Sequence, residues 1–402
     1  MNGFLSNINS LHKNIKTRLI SDFFISIVFM GIGPFFTIYL VEGIGVKNAS
    51  YILFASIVLS MCFSLLSGKI LDYITYKKGI LVGQVIAFIS ISLMAVYADK
   101  NAIYTAIFFL TMSIGMSIIM PALEALIISS VTEDDRHYMF SVFYWINNLS
   151  SSVGIVIGGI FFLKHTQFFL IVAAIVFLIN IFYTYYNFEN IDISISSNKK
   201  EKSVNYLKIL TNKKFILLNF IIILLGSMEL TLSNSVGVNL EKHFETNIFR
   251  LKIQGSEMLS VLLVINTVIV VIFSNIINSK IIDMTNKKLF MYSGILLYGL
   301  CFAIMQSETQ FIVLLFLIIL ATIAEIIIFP ILNSEISYLM TSNIGKYTAI
   351  MAFNSPISNS IAISLLFLSH YITNQGVGIL IILMLIIIYL FLYLSGKVKL
   401  ST

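Results

Sequence analysis

Charged side chains are scarce in this 402-residue sequence: Asp, Glu, Lys and Arg make up 11% of it, against 58% hydrophobic residues. An ordinary soluble domain carries roughly 25% charge, so a water-facing globular surface is excluded. Cysteine is nearly absent. Cys62 and Cys301 each fall inside an apolar run, where two small buried thiols are expected, with no disulfide and no metal site. The histidines His12, His137, His165, His243 and His370 are scattered near the ends of apolar runs and offer no ligand pair at helical spacing. A glycine-rich phosphate loop closing on Lys-Ser or Lys-Thr is missing, so nucleotide hydrolysis is not expected. Nor is there a constellation suggesting an enzyme, and no cofactor is expected. The formal charge of +6 does not imply nucleic acid, because the basic residues flank apolar segments and form no stripe on a polar face.

What is present is a series of twelve apolar runs of about 20 residues, the length that spans a bilayer. The first are Leu19 to Val41 and Ala49 to Leu71, and the series includes Phe215 to Val238 and Tyr347 to Leu368 before ending at Gly376 to Leu394. Lys13, Lys16 and Arg18 before the first run resemble the start of a signal peptide. The run is too long for one, however, and no small-residue cleavage site follows, so an uncleaved first helix is expected. With the N-terminus inside, only Lys47, Lys100, Lys164, Lys242, Arg250 and Lys252 of the 25 basic residues fall outside. This positive-inside bias puts both termini in the cytoplasm of a multi-pass plasma-membrane protein.

The longest polar stretch, Glu189 to Lys214, divides the chain into residues 1–188, a cytoplasmic linker 189–214 and residues 215–402, six runs on either side. The halves repeat each other. Lys69-Ile70-Leu71-Asp72, followed by Thr75 and Lys77-Lys78, recurs as Lys280-Ile281-Ile282-Asp283, followed by Thr285 and Lys287-Lys288, and Pro121-Ala122-Leu123 is echoed by Pro330-Ile331-Leu332. Two six-helix halves in parallel repeat imply an all-α transporter in which two pseudo-symmetric bundles rock about a central site.

The loop Gly68-Lys69-Ile70-Leu71-Asp72-Tyr73-Ile74-Thr75-Tyr76-Lys77 resembles the Gly-x-Leu-Ala-Asp-Arg-x-Gly-Arg-Lys motif of the major facilitator superfamily, with Tyr73, Thr75 and Tyr76 replacing two arginines and a glycine. The resemblance implies a cytoplasmic gate built on Gly68, Asp72 and Lys77, with Arg136 as a partner and Asp283 as the weaker counterpart in the second half. Gly154-Ile155-Val156-Ile157-Gly158-Gly159 is similar to the Gly-Pro-x-x-Gly-Gly element of that superfamily's antiporters. Here Gly154, Gly158 and Gly159 allow close helix packing. The lead-in Leu11 to Arg18, Tyr144-Trp145, Asn148-Leu149 and Glu325 with Pro330 resemble the LmrP-type proton-coupled multidrug exporters. Of the carboxylates expected in that type, three are replaced by Ser129, Phe143 and Ser233, and Glu229 lies one helical turn before the last.

A carboxylate at the bilayer centre costs roughly 2.5 to 3.5 kcal/mol on insertion scales, so acids inside apolar runs are functional candidates. Glu325 leads, set among Ile323, Ala324, Ile326, Ile327 and Ile328, where apolar surroundings favour a group that takes up and releases a proton. Glu124 and Glu229 are candidates for the substrate cavity, each with the alternative of pairing with a polar neighbour. Asp22 and Glu335 lie nearer run ends, where water reaches, and are read as structural. Because no Lys or Arg falls in the middle of an expected helix, the cavity suits cationic or neutral amphipathic compounds. Pro34, Pro121, Pro330 and Pro356 all fall inside expected helices and are read as kinks, those at Pro121 and Pro330 lying near Glu124 and Glu325. The expected activity is export of lipophilic cations or neutral compounds, driven by the proton gradient, by a monomer. The alternatives are a transporter of one defined solute, such as a peptide-like product, a sugar or a siderophore, and a membrane-embedded enzyme or channel.

Overall fold

The computed structural model describes residues 12–71, 73–130, 136–189, 211–248, 251–283, 286–339, 347 and 350–397. Apolar runs in lipid have no water to hydrogen-bond their peptide groups and must satisfy them internally, which helices do. The first unit holds α1 (Lys13–Leu71), α2 (Tyr76–Tyr97), α3 (Ala102–Ser130), α4 (Arg136–Phe161) and α5 (Thr166–Asn187). The second holds α6 (Lys213–Leu230), α7 (Gly237–His243), α8 (Gly255–Asp283), α9 (Lys287–Met305), α10 (Phe311–Ser337), α11 (Asn354–Leu368) and α12 (Asn374–Lys397). Among the described residues nine helices are long and apolar enough to cross a membrane, and the chain is an all-α membrane protein. The β-structure among the described residues is one hairpin between α7 and α8, in which β1 (Glu245–Ile248) runs antiparallel to β2 (Leu251–Gln254) with Glu245 opposite Gln254.

The interior is mainly apolar with some polar side chains in it, and the exterior is apolar as well. Ser21, Gln84, Asn180 and Thr184 are buried, whereas Phe168 is 67% exposed and Ile312 78% exposed. Such an apolar exterior would aggregate in water and is stable only against lipid. Cys62 shares that exterior and is exposed, which corrects the expectation of two buried thiols; Cys301 is buried.

The structure departs from the sequence reading at three places. The runs Leu19 to Val41 and Ala49 to Leu71 are two helices, as expected, that meet at a kink within α1, and the loop expected between them shrinks to Gly45, at φ 78 and ψ 159. That backbone region is essentially reserved for glycine. The run Phe215 to Val238 is interrupted: α6 ends at Leu230, and residues Leu232–Val236 form a π-turn before α7. Thr231 Oγ1 donates to the Met228 carbonyl at 2.6 Å and Asn234 Nδ2 to the Leu230 carbonyl at 2.8 Å, which draws those acceptors away from the regular ladder. Finally, Pro356 is the third residue of α11 and produces no mid-helix kink. In a first turn the missing N–H would have had no intrahelical acceptor. Pro34, Pro121 and Pro330 do lie inside α1, α3 and α10.

The chain divides into two compact units, Met1–Lys200 and Glu201–Thr402. In the first, α1 packs on α3, α4 and α5, and α2 packs on α3 and α5. The α1–α4 contact is made by backbone. A Cβ at Gly154 would strike the Ile27 carbonyl oxygen, and one at Gly158 would strike the Gly31 carbonyl oxygen and lie 2.7 Å from the Gly31 Cα. Neither obstacle is a side chain that can swing aside, so Gly158→Leu is expected to separate α4 from α1. Its yield of monodisperse protein after detergent extraction should fall several-fold, whereas Gly33→Ala, with nothing within 4 Å of the new Cβ, should extract normally.

In the second unit α9 and α8 pack on α10, and α6 packs on α11 and α12. Asn219 on α6 and Asn354 on α11 exchange two amide hydrogen bonds, each 2.9 Å. A self-satisfied amide pair of this kind fixes helix register without leaving an orphaned donor.

Candidate functional site

The second unit brings two of the candidate acids together. Glu325, on α10, accepts a 2.8 Å hydrogen bond at Oε2 from Asn266 Nδ2 on α8. The same amide donates to Thr322 Oγ1 at 3.1 Å, and Thr322 in turn donates to the Ile318 carbonyl at 2.7 Å. Thr322 precedes Glu325 by three residues, so both side chains lie on one face of α10. Glu229, the penultimate residue of α6, lies close enough for its carboxyl to interact electrostatically with that of Glu325. Tyr298, on α9, is fully buried and feels both carboxylates. Its hydroxyl has no hydrogen-bond partner in the protein. Four helices thus contribute oxygen and amide groups to one apolar interior, and among the described residues no lysine or arginine pairs with either acid.

Two carboxylates in such surroundings cannot both carry charge cheaply unless a proton or another cation lies with them. That is the chemistry the cluster offers: exchange of one positive charge for another. The π-turn begins three residues after Glu229. Local wide turns of this sort often occur where a helix has to rearrange at a functional position.

Asn266 and Tyr298 escaped the sequence reading. Asn266 leaves a trace, as the single amide in Val264-Ile265-Asn266-Thr267-Val268, and a lone amide in a lipid-spanning run needs an internal partner. Tyr298 leaves none, because tyrosine is common in membrane helices as packing.

The first unit differs from expectation more sharply. Helix α1 starts at Lys13, six residues before the expected Leu19, so Arg18 is helical and its side chain is 13% exposed. Its Nε donates to Asp22 Oδ2 at 2.8 Å and its Nη1 to the Leu123 carbonyl on α3 at 3.2 Å, while the guanidinium lies 4.7 Å above the Phe143 ring of α4. The reading of Asp22 as a water-accessible acid is therefore corrected, while Arg18, in the second turn of α1, leaves the middle of the helix without a base. Both groups are held in the interior by each other. Nearby, Asn180 Oδ1 accepts from Ser21 Oγ at 2.7 Å and from Gln84 Nε2 at 2.8 Å, which ties α5 to α1 and α2. Glu335 agrees with its structural reading: it is 41% exposed and meets Lys214 at 3.3 Å.

The remaining candidates are only partly visible. Asp72 lies outside the described residues, and so do the side chains of Glu124, Arg136 and Asp283, although their backbones are helical in α3, α4 and α8. Gly68 is helical near the end of α1. Lys77 stands in the first turn of α2 with its ammonium 5.4 Å from the Tyr185 ring, and Gly159 is buried in α4. Pro330 lies five residues beyond Glu325 on α10.

Comparison with known proteins accords with this architecture. A relative from Planococcus maritimus, described as a Na(+), Li(+), K(+)/H(+) antiporter, is 24% identical over 378 residues, covering 88% of this chain and 89% of that protein. Among solved structures, a POT family transporter in complex with a thioalcohol-conjugated peptide superposes with a TM-score of 0.75 at 15% identity, over 97% of this chain and 99% of the other. The nucleoside transporter NupG superposes with a TM-score of 0.74 at 14% identity, over 96% and 100%. At such identities the structural likeness speaks for the fold alone. Residues 19–363 match the profile described as Major Facilitator Superfamily, and the chain belongs to that family of transporters.

Proposed function

We propose that the protein is a proton-coupled antiporter that exports lipophilic cationic or neutral compounds, with Glu325 binding the proton and Glu229 sharing the site. The observation that carries this reading is the pair of interior carboxyls without a basic partner. When protonated, the pair tolerates its apolar surroundings; when ionised, it attracts a positive charge. Proton and substrate then favour different facings of the transporter, and the difference in their affinities for the two facings drives the switch. The likeness to LmrP-type exporters supports the assignment of Glu325, and the antiporter among the relatives supports exchange against protons.

A second reading has a specific observation behind it. The polar groups around the two acids, the Asn266 amide, the Thr322 hydroxyl and the unpartnered Tyr298 hydroxyl, are hard donors of the kind that suit an alkali cation, and the relative from Planococcus maritimus is described as exchanging Na(+), Li(+) and K(+) for H(+).

Proteoliposomes with an imposed pH gradient separate the two. Under the first reading several unrelated fluorescent cations move and compete, and a protonophore abolishes their movement; under the second, Na+ or K+ collapses the gradient and the dyes do not move. If neither dyes nor alkali cations move with the gradient and a single solute does, both readings fail in favour of a dedicated solute carrier.

Tyr298→Phe probes the cluster independently. Removing a buried hydroxyl that bonds to nothing in the protein should leave the melting temperature unchanged or raise it, since an unsatisfied polar group costs about 1–3 kcal/mol. Antiport should nevertheless fall several-fold. Unchanged antiport would remove Tyr298 from the site.

A further inference from the structure

One end of the second unit, where α6 and α9 begin and α10 and α12 finish, holds a cavity of about 530 Å³ that the transport reading does not use. Its mouth carries Lys214, Lys287 and Lys288, with Glu335 as the acid in its lining. Glu335 is engaged by Lys214 at 3.3 Å. Among the described residues no carboxylate pairs with Lys287 or Lys288. The walls are of opposite character: Leu218, Met291 and Leu392 make them apolar.

The surface around the mouth exposes large apolar and aromatic side chains. Leu289 is 65% exposed, and Tyr338 and Tyr393, at 76% and 60%, stand where tyrosines anchor a protein at the membrane interface. A soluble anion would need the lysines but not the apolar slot, whereas a neutral lipid would need the slot but not the lysines. An anionic phospholipid uses both, because its phosphate meets the ammonium groups while the first part of an acyl chain fills the slot. Basic pockets between membrane helices on the cytoplasmic side take such headgroups, and the lysine distribution assigns this end to that side.

We propose that this cavity is a binding site for one anionic phospholipid of the cytoplasmic leaflet, held by Lys287 and Lys288 with its chain against Met291 and Leu392. Pro330 and Ile331 of α10 line the same cavity, so the lipid lies against the helix that carries Glu325.

The test uses full-length protein purified in a neutral detergent and titrated with phosphatidylglycerol, phosphatidylcholine, glycerol 3-phosphate or inorganic phosphate, with bound lipid counted by native mass spectrometry. One phosphatidylglycerol should be retained about thirtyfold more tightly than phosphatidylcholine, a preference of the size that two interfacial lysines supply. Lys287→Gln with Lys288→Gln should erase that preference, and Lys287→Arg with Lys288→Arg should keep it, which guards against misfolding as the cause. Lys242→Gln with Lys252→Gln, in the last turn of α7 and in β2, away from the cavity lining, should leave it intact. Leu392→Trp, which fills the slot without changing charge, should also reduce retention several-fold. The proposal is overturned if the glutamine pair retains phosphatidylglycerol normally. It is equally overturned if glycerol 3-phosphate or phosphate displaces the lipid at matching concentration, which marks a soluble-anion site, or if Leu392→Trp has no effect, which marks surface attraction alone.

Discussion

Glu325→Gln is expected to be made and folded like the parent protein and to lose proton-driven transport to background. The substitution keeps shape and most of the bonding, because a glutamine carbonyl can accept the 2.8 Å hydrogen bond that Asn266 Nδ2 now donates to the carboxylate. It removes only the capacity to exchange a proton. In everted vesicles energised by respiration the parent should move substrate against its gradient, and the variant should not. Downhill exchange of preloaded substrate should survive in the variant, since it requires no proton. That split separates loss of coupling from loss of binding. Gradient-driven transport persisting in Glu325→Gln would place the proton elsewhere, with Glu229 the next residue to test. Glu229→Gln is expected to be milder, because no hydrogen bond among the described residues orients Glu229, which reaches Glu325 through electrostatics.

The spans were legible in the sequence because lipid imposes a simple rule: charges cluster between runs of bilayer length. The repeat of Lys69-Ile70-Leu71-Asp72 at Lys280-Ile281-Ile282-Asp283 marked two halves, and an isolated Glu325 among isoleucines is hard to overlook. Where reading failed, the cause was local geometry. The π-turn after Glu229 depends on hydroxyl and amide groups capturing carbonyls, which a hydropathy pattern cannot register, and Gly45 absorbs a loop that spacing alone suggests is longer. Arg18 was misplaced because a charge before an apolar run looks like a flank. Its partner one turn later, Asp22, lets the helix begin earlier and draw both into the interior. The Phe143 ring below the guanidinium joins α4 to that pair, a long-range contact with no signature in either segment.

Asp22→Leu is accordingly expected to be among the most destabilising single changes in the first unit. Among the described residues it leaves the Arg18 guanidinium, 13% exposed, with the Leu123 carbonyl and the Phe143 ring for company. Breaking a buried ion pair from one side costs about 3–5 kcal/mol. The reverse change, Arg18→Met, should cost less, because a stranded carboxyl can neutralise itself by taking up a proton and a guanidinium cannot shed one. Replacing both, Arg18→Met with Asp22→Leu, removes the two desolvation penalties together and should restore stability to within about 1 kcal/mol of the parent, as buried pairs exchanged for apolar residues often do. Thermal unfolding of the four purified proteins in one detergent closes this cycle, and the order expected is Asp22→Leu least stable, then Arg18→Met, then the double variant near the parent. A cost for Asp22→Leu no larger than the roughly 0.5 kcal/mol of a surface substitution would mean that Arg18 reaches water, and with it that a base is not truly part of the span. If the order holds while the double variant also transports normally, the pair serves the packing of α1 against α3 and α4 and takes no part in moving charge.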